Sequence, residues 1–415
     1  MKTLEKYSMG IGDRFGRQGR AQLQAMVRAK ADGVDIAPVW NKSHREHTIL
    51  HTRPADVRAE ADAAVAALGW TGGYYVDADH VGAKNVDLFT EASDFFTLDV
   101  ADFIGQAADE DDVRAFVDRH SDLIGVLEVD GIDGGIELSG GRIEAIARTY
   151  LLAVRGAGEV YRHVESVKGA DFITEVSMDE TDAPQTPVEM LLILAAIADE
   201  GIPAQTIAPK FTGRFNKGVD YVGDVAQFAK EFDEDLAVIA FAVERFGLPA
   251  NLKLSVHSGS DKFSIYGPIR EAIGRRGAGL HLKTAGTTWL EELIGLAAAG
   301  GEGLHIAKDV YAAALGRFDE LAGPYASVID IDRPKLPSQE VVAGWSSEQF
   351  VGALRHDPSC ELFDLNVRQL LHVGYKVAGE MSGRFLDALA EFEDVIASCV
   401  TANIYDRHLK PLFVG

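Results

Sequence analysis

The feature that most constrains the fold is an alternation. Between residue 7 and about residue 310, short runs rich in Val, Ile, Tyr and Phe alternate with longer stretches of helical period, the pattern of repeated βα units. The runs are YSMGIGD from Tyr7, IAPVW from Ile36, YYVDAD from Tyr74, FFTLDV from Phe95, FITEVSM from Phe172, QTIAPK from Gln205, LKLSVHS from Leu252 and LHLKTAG from Leu280. Helical segments such as PADVRAEADAAVAAL from Pro54, PVEMLLILAAIADEG from Pro187 and the long stretch from Asp224 open with Pro or Asp and close with Gly, as helix ends require. Eight units without a break predict an α/β protein with one parallel (β/α)₈ TIM-type barrel, residues 1–333. An insertion near 120–169 carries the glycine-rich GIDGGIELSGG and then a helix over about Ile143 to Val167. After Pro334 the pattern is wholly helical, which predicts a C-terminal helical extension over 334–415. The segment GLHIAK from Gly303 is an alternative eighth strand.

Charge narrows the partners. Forty Lys and Arg against 64 Asp and Glu give a net charge of −24, which repels nucleic acid and anionic membranes. No uncharged run approaches the roughly 18 residues of a membrane span. Two cysteines, Cys360 and Cys399, build no disulfide framework, and a reducing cytoplasm is the expected location. A small molecule is the expected partner, and assembly with further copies of the chain is left open.

In such a barrel the chemistry sits where strands end. Here those ends are crowded: Gly12-Asp13-Arg14 after the first strand, Asn41-Lys42-Ser43-His44 after the second, Asp77-Ala78-Asp79-His80 after the third. The fifth carries Glu175, Ser177 and Asp179-Glu180, the sixth Lys210 and then Arg214, Asn216 and Lys217. The seventh carries His257-Ser258-Gly259-Ser260-Asp261-Lys262, and the eighth Lys283, Thr284 and Gly286.

His80, Glu175 and His257 on three strands form an expected ligand set for a divalent cation, since imidazole with one carboxylate suits Zn, Mn, Co or Ni. His305 is a reserve ligand if its segment is a strand. His281 starts its strand and is expected to be structural. Asp79, beside His80, is the expected general acid/base, with Glu175 and Lys210 completing the catalytic set. Arg14, Asn41, Lys42, Arg214, Lys217, Lys262 and Lys283 give a polar, largely basic rim suited to an anionic substrate. Ser258, Ser260 and Asp261 join that substrate set, because His-Ser-Gly-Ser at a strand end offers N–H groups and hydroxyls to a ligand. GIGDRFGRQG matches neither dinucleotide nor P-loop motifs, and Ser258 is not flanked as a hydrolase nucleophile.

The segments PVWNKSHREH (38–47), YYVDADHVG (74–82), SDFFTLDVADFIG (93–105), KFTGRFNKGVDYVGD (210–224), LSVHSGSDKFSIY (254–266), HLKTAGTTWLEE (281–292) and PYASVIDID (324–332) resemble the tagaturonate/fructuronate epimerase family. The resemblance runs from Tyr7 to the terminal LKPLFVG. It implies a metal-dependent inversion of carbon 4 between D-tagaturonate and D-fructuronate, with tagatose and fructose as uncharged alternatives. Asp79-His80 and His257-Ser258-Gly259-Ser260 also resemble the metal-dependent class II aldolases, whose His residues hold metal while the Asp moves a proton. Where those aldolases place a further metal-binding His, this chain has Ala208-Pro209-Lys210, and Glu175 stands in as the expected third ligand. Carbon 4 lies β to the carbonyl and its hydrogen is not acidic, so the resemblance implies a retro-aldol route. A base takes the C4 hydroxyl proton, the C3–C4 bond breaks, and the aldehyde rotates and adds back on its other face. The alternatives are an aldolase that releases its fragments and a non-catalytic sugar-binding barrel.

Overall fold

The computed structural model describes residues 2–100, 103–179, 181, 183–284 and 287–415. Eight strands close into a barrel: β1 (Tyr7–Gly12), β2 (Ala37–Ser43), β3 (Tyr75–Val81), β4 (Phe95–Asp99), β5 (Ile173–Ser177), β6 (Thr206–Ala208), β7 (Lys253–His257) and β8 (Leu280–Lys283). Each pairs in parallel with the next, and β8 returns to β1 through Tyr7↔Leu280 to Gly10↔Lys283. All eight segments read as strands from sequence are strands of this barrel.

The helices follow from local chemistry. Pro187–Asp199 opens on Thr186, whose side chain accepts from Glu189 N while Glu189 answers in a capping box, with Pro at the first turn. Val225–Phe246 is capped by Asp224 and closes at Gly247, φ 70°. Between β4 and β5 stand the helix Glu110–Arg119, an antiparallel hairpin of Gly125–Leu127 with Ile136–Leu138, and the 29-residue helix Gly140–Lys168.

GLHIAK is part of the helix Gly301–Gly316, not a strand. Its apolar residues recur at helical spacing, with Gly303, Ile306, Ala307 and Val310 buried. That overturns the expectation for His305, whose side chain is 67% exposed and lies 3.8 Å from Glu302. Beyond Pro334 the regular elements are helical, and Glu393–Ala402 packs on Gly19–Ala31 and Thr287–Ala299.

The barrel interior has two storeys. Leu4, Ala37, Val39, Tyr75, Phe95 and Ile173 form a separate apolar plug at the end where strands begin. Above it, the period-2 alternation of β3 sends Val76 and Ala78 outward into the helical layer and Asp77 and Asp79 inward. The strands thus deliver charge to one end of the molecule.

Candidate active site

Lys283 is the centre of the inward charges. Its Nζ lies 2.7 Å from Asp77 Oδ2, 2.7 Å from Asp79 Oδ1 and 3.5 Å from Glu175 Oε1, and it donates to Thr97 Oγ1 at 2.8 Å. Thr206 Oγ1 donates to Glu175 Oε2 at 2.8 Å. Burial opposes a charged amine, yet the three carboxylates outweigh it and hold Lys283 well above its ordinary range. The sequence assigns Lys283 to the rim for substrate anions; the structure instead uses its charge up on this chain's own carboxylates.

Glu175 Oε1 also meets His257 Nε2 at 2.8 Å. The opposite nitrogen, Nδ1, faces Asp179 Oδ2 at 3.2 Å without a well-formed hydrogen bond. The His80 ring lies edge-on to that of His257, centroids 5.2 Å apart. A bulge makes this contact. Between Ala78 and Val81, β3 slips against β4 by one residue, and His80 takes φ 53°, left-handed backbone that a non-glycine residue rarely adopts. Strict alternation would turn His80 toward the helices; the bulge re-aims it into the mouth.

Among the described residues, the group that can share one ion is therefore His80, Asp179 and His257, with ligand atoms all within 4.8 Å of one another. Glu175 stands behind His257 as an orienting carboxylate, which corrects its expected place among the ligands. Asp179 is a candidate ligand not expected from the sequence, although Glu175, Ser177 and Asp179 share one parity along the chain. The donor set fits a divalent cation. His80 Nδ1 and His257 Nδ1 are buried without a hydrogen-bond partner, and two imidazoles with a carboxylate are the ligand chemistry of Zn, Mn, Co or Ni. Burial opposes protonation of both rings, but Asp79 and Asp99 lift His80 to about 9, and Asp179 and Glu175 lift His257 to about 10.

Asp79 and Asp77 are tuned apart. Burial raises both, but Lys283 and His80 prevail at Asp79 and hold it below the ordinary carboxylate value. At Asp77 burial wins over Lys283 and pushes the carboxyl up to about 6. Asp79 is thus the ionised member at the mouth.

The remaining expected site residues divide. Asn41 is buried on β2 with neither amide atom paired. Lys42 donates to Arg14 O at 2.6 Å, and Arg14 stacks on Tyr375, 4.4 Å from the ring centre. Lys217 lies over Tyr325 at 5.6 Å. Lys210, expected to be catalytic, donates its Nζ to Thr181 O and pins the loop after β5. Arg214 is exposed and pairs with Asp330 at 3.2 Å.

The expected substrate contacts of Ser258, Ser260, Asp261 and Lys262 are corrected, because their polar atoms bind this chain. Ser258 Oγ donates to Lys283 O, and Ser260 Oγ accepts from Gly218 N. Lys262 donates to Asn216 O and Val219 O. Asp261 accepts from Arg368 Nη2 at 2.7 Å and lies 3.1 Å from both His356 Nδ1 and His408 Nε2. His281, bonded to Ser8 Oγ at 2.8 Å, is internal. Glu180 and Gly286 lie outside the described residues.

Comparison with known proteins shows what the chain as a whole resembles. The tagaturonate/fructuronate epimerase of Thermotoga maritima is 29% identical over 98% of this chain and 80% of its own length. The crystal structure of the fructuronate-tagaturonate epimerase of Cohnella laeviribosi superposes with a TM-score of 0.81 at 25% identity, covering 99% of this chain and 82% of that one. A probable tagatose 6-phosphate kinase of Sinorhizobium meliloti, TM-score 0.51 at 11% identity over 98% of this chain and 100% of that one, shares the fold alone. Among the described residues no helix is long and apolar enough to cross a membrane. A model of the tagaturonate epimerase family matches residues 1–412, and the chain belongs to that family of epimerases.

Proposed function

We propose that the protein interconverts D-tagaturonate and D-fructuronate by inverting carbon 4 with the help of a divalent cation. The observation that carries this reading is His80, Asp179 and His257 gathered around one point beside an ionised Asp79. A cation held by those three residues would polarise the sugar's carbonyl as a Lewis acid.

The chain's own groups do the rest. Asp79 takes the proton of the C4 hydroxyl, the C3–C4 bond cleaves in the retro-aldol sense, and the aldehyde turns before the bond reforms on its other face. Asp79 then returns the proton, so no net acid or base is consumed. Lys283 keeps Asp79 ionised and fixes its position between β3 and β8. Glu175 holds the His257 ring by its Nε2 and leaves Nδ1 turned to the mouth. The buried plug under the site closes the barrel on the far side.

The test is an NMR time course of both acids with chelated protein and with Mn²⁺, Co²⁺, Ni²⁺ or Zn²⁺ restored. Interconversion that vanishes on chelation and returns with metal is expected. Failure to interconvert either acid with metal bound overturns the reading, and release of free aldehyde in a coupled assay replaces it with an aldolase.

A further inference from the structure

His372 lies on the helix Leu365–Val373, far in sequence from the barrel strands, and is 1% exposed. Neither ring nitrogen has a hydrogen-bond partner. Buried polar atoms in folded proteins are almost always paired, so two open nitrogens on one ring ask for an explanation.

The surroundings supply it. The Cβ of His372 sits against Gly218, one residue after Lys217. Lys217 lies over the ring of Tyr325, whose hydroxyl meets that of Tyr375 at 3.2 Å. Tyr375, three residues beyond His372, stacks under Arg14. Arg14 is itself buried, with Nη1 unpartnered and Nε 3.1 Å from Glu46. These contacts close a ring from the loop after β1, through the C-terminal helices, to the loop after β6. Burial, and then Arg14, Lys217, Arg368 and Lys262, keep His372 well below its ordinary value and so neutral. Lys262 is pushed down to about 7 by burial first, against Asp261 and Asp220, with Lys217 and Arg368 adding to the fall. In a chain of net charge −24, Arg14 and Lys217 bring positive charge to this corner, and the open Nη1 of Arg14 and the open nitrogens of His372 suit an anion.

We propose that Arg14, Lys217 and His372 form the subsite for the substrate's terminal carboxylate, so that the C-terminal helices supply a group that separates a hexuronate from a neutral ketohexose. The proposal rests on the epimerase reading above and deepens it. Arg14 and Lys217 provide charge-assisted contacts, and the neutral imidazole donates one N–H.

The experiment uses the metal-loaded enzyme and the variants Arg14→Gln, Arg14→Lys, His372→Gln and Lys217→Met. KM and kcat are measured for D-tagaturonate, and D-tagatose is titrated as a competitive inhibitor. Losing one such contact is expected to raise KM about 30-fold for Arg14→Gln and about tenfold for each of His372→Gln and Lys217→Met, with kcat held within about threefold. Arg14→Lys should recover most of the loss, and inhibition by D-tagatose should hardly move. A fall in kcat at constant KM, or equal weakening of acid and neutral sugar, overturns the proposal. Lys217 is half-buried, so Lys217→Met keeps the test alive if the Arg14 or His372 variants do not fold. Failure of the epimerase reading itself shows in the parent enzyme, as absence of turnover before any variant is made.

Discussion

Two buried carboxylates, Asp79 and Asp261, sit among cations at the same end of the barrel, and they differ in what their surroundings leave undone. Asp261 is saturated: Arg368, His356, His408 and, at 3.4 Å, Thr287 Oγ1 surround it, and it is fully buried. Around Asp79 the valences are open. Its Oδ1 touches Lys283 without a well-aligned hydrogen bond, and the neighbouring His80 and His257 each keep an unpaired Nδ1. A saturated buried ion pair holds structure, whereas an unsaturated one holds its free energy ready for a ligand. The two clusters are joined through five residues of chain, since His257 ends β7 and Asp261 follows in the loop.

The largest expected effect lies on the open side. Asp79→Asn keeps the shape and removes the base, and kcat should fall about a thousandfold, the range of a lost general base. Bound metal, measured by elemental analysis, should stay at the level of the parent. Activity within tenfold of the parent would remove Asp79 from the proton transfer.

On the saturated side the same exchange should act on folding. Asp261→Asn leaves Arg368 buried without its counter-charge and should cost about 3 kcal/mol, roughly a hundredfold in the folding equilibrium. The pH dependence has a definite sign. Burial opposes ionisation of Asp261, but Arg368 and the two histidines overcome it and hold the carboxyl well below its ordinary value. Its stabilisation is therefore present above the unfolded value of about 4 and is lost as pH falls below that. Denaturant unfolding of parent and variant should converge on acidification. A constant gap down to low pH would mean that the ion pair is not what the substitution removes.

The same contrast marks how far the sequence could be read. The eight strands were legible because short buried runs bounded by turn residues have one good solution, and the inward alternation of Asp77 with Asp79 followed from it. GLHIAK misled because a six-residue apolar run fits either period, and only its helical neighbours decide. Asp79 and Asp261 look alike in a sequence, since saturation depends on Arg368, His356 and His408, more than 90 residues further on. The bulge at His80 was equally hidden, for a slip of one residue leaves no mark in composition. His372 had no signal at all, being one polar residue on an otherwise ordinary amphipathic helix.

The smallest expected effect tests whether the open cluster is tuned from behind. Glu175 is fully buried and binds four groups at once: His257 Nε2, Lys283 Nζ and the hydroxyls of Thr97 and Thr206. Burial should raise its pKa, but Lys283 and then His257 hold it well below the ordinary value, so it is an anion. Glu175→Gln keeps an oxygen for the His257 N–H and removes the charge that makes the opposite nitrogen a stronger donor. It also takes one of three counter-charges from Lys283, which then leans harder on Asp77 and Asp79. Metal affinity should therefore fall about thirtyfold while the fold is kept. Affinity equal to the parent's would confine Glu175 to neutralising Lys283, and total loss of binding would place it among the ligands after all. Either outcome would redraw the boundary between the saturated interior and the open mouth at the middle of β5.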